Sequence, residues 1–235
     1  MQRYFVTKNK DNIVFTDSDK NHIKKVMRMK NDDLIEVCYD NKAYRACFVD
    51  VDNYSIKIIE ELNNGVLIGP KVTVAQGLLR EQKWDLILQK TTELGVHEII
   101  PLSLERCNAK IEGKEIKKIE RWNLICKEAS EQSFRSYVPK VYNVTDLKEL
   151  VKMDYDLKLF CSTAESVNYI KKVLQSNDKC DKILIVIGPE GGLTSKEEKL
   201  MIDNGFISVT LGNLILRTET APMFILSVIN YENWR

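Results

Sequence analysis

The chain has 235 residues, 44% hydrophobic and 29% charged, with 35 Lys+Arg against 34 Asp+Glu and a net charge of +1. That length suits one large domain or a small one plus a medium one, and the composition excludes disordered, collagenous and coiled-coil classes. The balance excludes a uniformly basic coat, so a nucleic-acid partner would have to meet basic groups gathered by the fold.

The N-terminal MQRYFVTKNKDN has no apolar stretch of signal-peptide length, and the longest apolar runs, such as Ile183–Ile187, are strand-sized. A soluble cytoplasmic protein is expected, with no membrane partner. Up to about residue 62 the segments are short and β-like: Leu34–Tyr39, a turn at Asp40-Asn41-Lys42, Ala43–Val51 and Tyr54–Ile59. Asp/Asn punctuation between such runs predicts hairpins. A short helix is predicted over Asp19–Met29, with Ile23, Val26 and Met27 apolar. Residues 1–70 read as a small barrel-like β domain, closed by the turn-rich stretch from Asn63 to Pro70.

After Pro70 strands alternate with helices through residues 71–235. Strands are predicted at Val72–Leu79, Val96–Leu102, Leu157–Cys161, Lys182–Ile187 and Phe206–Leu211. Helices are predicted at Gln82–Leu94 (Trp84, Ile87, Leu88 and Thr91 on one face, Gly95 as stop), Lys114–Phe134, 166–175, 195–204 and 218–232. Such alternation implies a largely parallel sheet covered on both faces. Neither region is basic: residues 1–70 carry 11 Lys+Arg against 11 Asp+Glu, and the remainder 24 against 23.

Six cysteines are scattered with no C-x-x-C pair, and His22 and His97 are close to none of them in sequence. Zinc ligands normally come in closely spaced pairs, so no metal is expected and the thiols read as reduced.

Chemistry concentrates in two turns. Ile183–Ile187 is the apolar, β-branched run of a strand buried on both faces, and it ends in Gly188-Pro189-Glu190-Gly191-Gly192. Thr194 with Glu197, or Ser195 with Glu198, then offers a capping box for a helix. Glycines allow close backbone approach to a ligand, and such turns lie at the carboxyl edge of α/β sheets. An ordinary strand-to-helix turn would read the same way. The run lacks G-x-G-x-x-G and the Lys-Ser/Thr of a P-loop, which argues against a dinucleotide or nucleoside triphosphate. The second turn, Leu211-Gly212-Asn213-Leu214-Ile215-Leu216-Arg217-Thr218-Glu219-Thr220-Ala221, has the same layout. Leu211, Leu214, Ile215 and Leu216 could wall an apolar slot, with Gly212 and backbone groups for a heterocycle edge; a hydrophobic loop packed under the last helix is the alternative. Two such turns at neighbouring strand ends can enclose one ligand.

The pair IGPEGGLTSKE and LGNLILRTETA closely resembles the C-terminal half of the SPOUT methyltransferases, and within them the RsmE group of 16S ribosomal RNA uridine-N3 methyltransferases. The resemblance extends through QKWDLILQKTTELGVHEIIPL (82–102), ERC (105–107), RWNLICKEASEQSFRSYVPKV (121–141), RYFV and HIKKVMRMKNDD (22–33), most of the chain. It implies a PUA-like β-rich RNA-binding domain over 1–70 and a SPOUT α/β-knot domain over 71–235, a parallel sheet whose C-terminal segment forms a trefoil knot. It also implies S-adenosylmethionine as cofactor, a homodimer, and 16S ribosomal RNA or the small ribosomal subunit as partner. Cofactor contacts then fall on Ile187, Gly188, Pro189, Glu190, Gly191, Gly192, Leu211, Gly212, Leu214, Ile215, Leu216, Thr220 and Ala221. Four positions depart from the family pattern: Glu81 follows Arg80 where glycine is frequent, Asn213-Leu214 stands where Pro-Arg is common, and Asn31 where glycine is frequent. The loss of a basic residue at Leu214 bears on affinity rather than on the reaction.

Uridine N3 becomes a nucleophile only when its proton is removed and the charge developing on O2 and O4 is stabilised. Arg217 is the candidate for that charge, and Glu219 and Glu190 are the carboxylates placed to act as base or to orient that arginine; Glu219 could equally serve as a helix N-terminal charge. For RNA grip the candidates are Arg80, Lys83, Arg106 and Arg135, with Arg3, Lys24 and Arg28 in the first domain. Trp84 and Trp122 occupy core-facing helix positions and read as packing. Two alternatives remain: a SPOUT enzyme for another rRNA or tRNA nucleotide, and a non-catalytic RNA-binding or assembly protein of the same fold.

Overall fold

The hydrophobic pattern of the first residues produces short strands rather than helices. In the computed structural model, which describes residues 1–9, 12–65, 68–109, 111, 113–163 and 168–233, these are β1 (Arg3–Phe5), β2 (Thr7–Asn9), β3 (Asn12–Val14), β4 (Leu34–Tyr39), β5 (Lys42–Asp50) and β6 (Ser55–Leu62). They form a four-stranded sheet in the order β1-β4-β5-β6, parallel between β1 and β4 and antiparallel elsewhere, plus a β2-β3 hairpin. The β4–β5 turn is tight because Asp40 and Asn41 both take positive φ (51° and 60°), the geometry a two-residue hairpin requires. Tyr4, Phe15, Ile35, Val37 and Phe48 fill the core, with Phe15 stacked on Phe48 at 6.2 Å. The expected helix over Asp19–Met29 begins earlier and divides. A Thr16–Asp19 capping box opens α1 (Asp17–Asn21), which continues as a π-helical turn, His22–Met27, and ends at Arg28 with φ 52°.

The remaining elements are β7 (Lys71–Gly77), α2 (Glu81–Glu93), β8 (Glu98–Ser103), α3 (Glu115–Gln132), β9 (Lys140–Val141), β10 (Thr145–Asp146), α4 (Leu147–Leu150), β11 (Leu157–Cys161), β12 (Asn168–Tyr169), α5 (Ile170–Ser176), β13 (Lys182–Ile187), α6 (Ser195–Asp203), β14 (Ile207–Thr210) and α7 (Thr220–Asn233). Part of the helix expected over 166–175 lies outside the described residues. The strands build one parallel sheet in the order β10-β8-β7-β13-β11-β14-β12, with β9 also on β8. β13 is the central strand that its apolar run predicts: Ile183–Ile187 are all buried. On α2 the 3.6-residue spacing of Trp84, Ile87, Leu88 and Thr91 buries one face, and Trp84 meets Trp122 at 5.1 Å, so these tryptophans are packing residues.

The chain divides into two units, Met1–Leu67 with Lys127–Val138, and Ile68–Cys126 with Pro139–Arg235. A single cut at residue 70 misses the return of Lys127–Val138 to the first unit. Charge explains why that segment belongs there. Arg3, fully enclosed, donates to Glu36 (Nε to Oε2, 2.8 Å), to Asn64 (2.7 Å) and to the Phe134 carbonyl. Lys127 pairs with Asp19 and with Glu131 at 3.0 Å. Arg135 is buried beside Tyr137, its guanidinium 4.6 Å from the ring centre. Arg3 and Arg135 therefore are not the RNA grips the sequence suggested, because neither guanidinium reaches the surface.

Candidate functional site

Parallel strands present their carboxyl ends on one side, and in the second unit three of them share a cleft there. It occupies about 680 Å³ and is lined from the turn after β13, from Cys161–Thr163 at the end of β11, and from the segment after β14. The two turns singled out in the sequence are not on adjacent strands: β11 lies between β13 and β14, in register with both. Cys161, Ser162 and Thr163 are thus site residues that the sequence pattern did not reveal. The carboxyl-edge rule for α/β sheets was the available signal, and it needed the strand order to be applied.

The glycine-rich turn is held in place on every side. An added Cβ at Gly188 would come within 3.2 Å of Gly192 C and of Leu193 Cγ, and one at Gly191 within 3.0 Å of Arg106 Cβ. Gly192 adopts φ 70°. The Thr218 hydroxyl donates to the Gly188 carbonyl at 2.6 Å, and Arg106 Nη1 donates to the carbonyls of Gly191 (2.9 Å) and Leu193 (3.1 Å). Thr194 and Glu197 form the capping box that opens α6, resolving the two options in the sequence.

The apolar turn is different. Leu214 and Ile215 line the cleft but are 81% and 84% exposed, so they form an open rim rather than a closed slot. Leu211 and Leu216 are half-buried, and Gly212 takes φ 138°. Ala221 is buried in the cleft wall, whereas Thr220 is exposed at the start of α7 and is not among the lining residues.

Charge collects at one end. Lys83, on the first turn of α2, places Nζ 3.3 Å from Glu190 Oε1 and 3.5 Å from Glu219 Oε2. The Glu219 side chain is 13% exposed and that of Glu190 30%. Arg217 is exposed on the same wall. Lys83 and Arg106, assigned to RNA by the sequence, are therefore engaged in the cleft itself, one with two carboxylates and the other with the glycine turn. Arg80 is exposed just before α2, and Lys24 and Arg28 are exposed in the first unit, where Lys24 is 3.3 Å from Asp52. Burial pushes the Cys161 thiol up to about 12, which makes it a poor nucleophile despite its position. Among the described residues no group of three or more His, Cys, Asp or Glu could hold a metal ion, and no helix is long and apolar enough to cross a membrane.

Comparison with known proteins bears on the same regions. The family described as RNA methyltransferase domain matches residues 68–230, and that described as RNA methyltransferase PUA domain matches residues 15–61. Ribosomal RNA small subunit methyltransferase E of Bacillus subtilis (strain 168) is 37% identical, over 99% of this chain and 97% of its own length. The protein of the same name from Mesomycoplasma hyopneumoniae (strain 232) is 36% identical, over 97% and 98%. Among solved structures, a ribosomal RNA small subunit methyltransferase E from Neisseria gonorrhoeae bound to S-adenosyl methionine aligns with a TM-score of 0.89 at 29% identity, over 99% of this chain and 98% of that one.

Proposed function

The chain belongs to the RNA methyltransferase family that includes ribosomal RNA small subunit methyltransferase E, and from that membership we propose that it methylates N3 of a uridine in 16S ribosomal RNA. It is an S-adenosylmethionine-dependent rRNA methyltransferase with an N-terminal PUA domain. One observation carries the reading of the site: the glycine-rich turn, the apolar turn, an exposed arginine and two carboxylates meet in a single carboxyl-edge cleft.

The residues present fit the cofactor. At Gly188 and Gly191 an added Cβ would crowd Gly192, Leu193 and Arg106 within the turn, so the turn that lines the cleft stays compact and mostly backbone, which suits a ligand bound against amide and carbonyl groups. Ile187, Leu211 and Leu216 offer apolar surface for a heterocycle, and Glu190 and Glu219 offer negative charge near a cation. When bound, S-adenosylmethionine supplies a methyl group activated by a sulfonium. The remaining work falls to the chain. Glu219, the less exposed carboxylate, is assigned to take the N3 proton, with Glu190 as its partner across Lys83. Arg217 is assigned to the charge developing on the uracil oxygens, and the cleft walls align acceptor with donor.

Arg80, Lys24 and Arg28 are proposed as phosphate contacts. A homodimer and a cytoplasmic setting belong to the same proposal. So does a knotted C-terminal segment, a reading supported by the Thr218–Gly188 bond, which draws the chain after β14 back across β11 to the end of β13. Mass spectrometry of 16S rRNA from a strain lacking the protein tests the assignment: N3-methyluridine should vanish and return on complementation. Retention of that nucleoside alongside loss of another modification would move the activity to a different base.

A further inference from the structure

Strand β7 reads Lys71-Val72-Thr73-Val74-Ala75-Gln76-Gly77, and the amide of Gln76 is buried in its apolar interior. Desolvating an amide is unfavourable unless its hydrogen bonds are replaced. Here the replacement is one-sided. Nε2 donates to Thr218 Oγ1 at 3.0 Å and to the Gly188 carbonyl at 3.3 Å, while Oε1 has no hydrogen-bond partner among the described residues. Thr218 Oγ1 itself donates to the Gly188 carbonyl, so Gln76, Thr218 and Gly188 close a ring of three bonds between β7, the turn after β13 and the turn before α7. The next residue makes an independent contact with the same turn: a Cβ on Gly77 would come within 2.7 Å of Pro189 N. The end of β7 is thus the floor on which the glycine-rich turn rests.

A leucine would fill similar volume without an unsatisfied oxygen and would leave the Thr218–Gly188 bond intact. Folding alone therefore gives no reason for an amide here. Thr218 lies between Arg217 and Glu219, and whatever fixes it fixes their backbone. We propose that Gln76 is a positioning residue that latches the turn carrying Arg217 and Glu219 to the Gly188 turn, setting the distance between the methyl donor's seat and the groups that act on the acceptor base. This rests on the function proposed above and adds to it a buried residue that is not among those lining the cleft.

The test uses the full-length protein, with Gln76→Leu, Thr218→Val and the double variant. Thermal unfolding, calorimetry with S-adenosylmethionine and single-turnover methylation of small ribosomal subunits are compared. Gln76→Leu should unfold at the parent's temperature or above, yet transfer methyl about tenfold more slowly. Thr218→Val, at a half-buried turn, should slow transfer similarly, and the double variant should be no slower than the worse single, because both cut one latch. The latch is overturned if Gln76→Leu transfers at the parent rate, or if the two losses multiply as independent effects. A parent protein that gives no heat with S-adenosylmethionine instead overturns the cofactor reading, and the latch with it.

Discussion

Both units hold lysine and arginine among carboxylates, and they use them in opposite ways. In the first unit, beside exposed pairs such as Lys24–Asp52, two cations are turned inward and closely partnered: Arg3 meets Glu36, Asn64 and the Phe134 carbonyl, and Lys127 meets Asp19 and Glu131. In the second they stand at the edge of a cleft with looser partners, Lys83 at 3.3 and 3.5 Å from its carboxylates and Arg217 exposed. A saturated buried pair resists rearrangement, since removing one member strands the other in a poor solvent. A half-exposed cluster can exchange partners with an incoming ligand. Burial and saturation, rather than residue type, separate the charges that hold the fold from those available for chemistry.

The largest effect should come from breaking the buried side of this contrast. Arg3→Met leaves Glu36 buried without its cation and should cost about 3–5 kcal/mol, read as a lower unfolding midpoint. The folded fraction should keep its methyl-transfer rate, and a loss of RNA affinity in that fraction would return Arg3 to the RNA surface. Next is Arg217→Ala, where single-turnover methylation should fall by about 10²–10³-fold with thermal stability and cofactor affinity unchanged. Equal rates for variant and parent would remove Arg217 from the chemistry. Lys83→Met should be milder, about two- to fivefold in rate, as for a partly exposed ion pair, with RNA binding intact. A Lys83 variant that binds RNA poorly but turns over normally would restore the phosphate role and blur the contrast.

The smallest effect treats both units alike. Burial pushes the Tyr137 phenol in the first unit up to about 12, and burial with a hydrogen bond to Glu98 does the same for Tyr142 in the second. Folding therefore favours the protonated phenols. Their contribution is whole below about pH 10, where unfolded tyrosine titrates, and is lost as the pH rises towards 12. Ultraviolet titration should show tyrosines ionising late, with unfolding temperature declining over that same interval. A flat unfolding temperature from pH 10 to 12 would contradict it.

Local chemistry made much of the structure legible. The apolar run Ile183–Ile187 could only be a strand buried on both faces, Asp40-Asn41 could only be a tight turn, and Gly95 marked the end of α2, where it takes φ 89°. The glycine turn and its capping box were equally readable, because their geometry depends on residues within a few positions of each other. What misled was the role of individual charges. Arg3 and Arg135 read as surface cations because most arginines are exposed, and Arg3's acceptors, the Phe134 carbonyl among them, lie far along the chain in elements whose placement the pattern does not specify.

The sequence alone thus determined two architectures, where the two turns that line the cleft begin, and a family resemblance spread along most of the chain. Only the tertiary structure decided that β11 separates those turns, that Lys127–Val138 returns to the first unit, and that Gln76 lies beneath both turns. The reason is range. Periodicity and turn chemistry act over a few residues, whereas a hydrogen bond from Gln76 to Thr218 spans 142 positions and exists only once the parallel strands have been ordered.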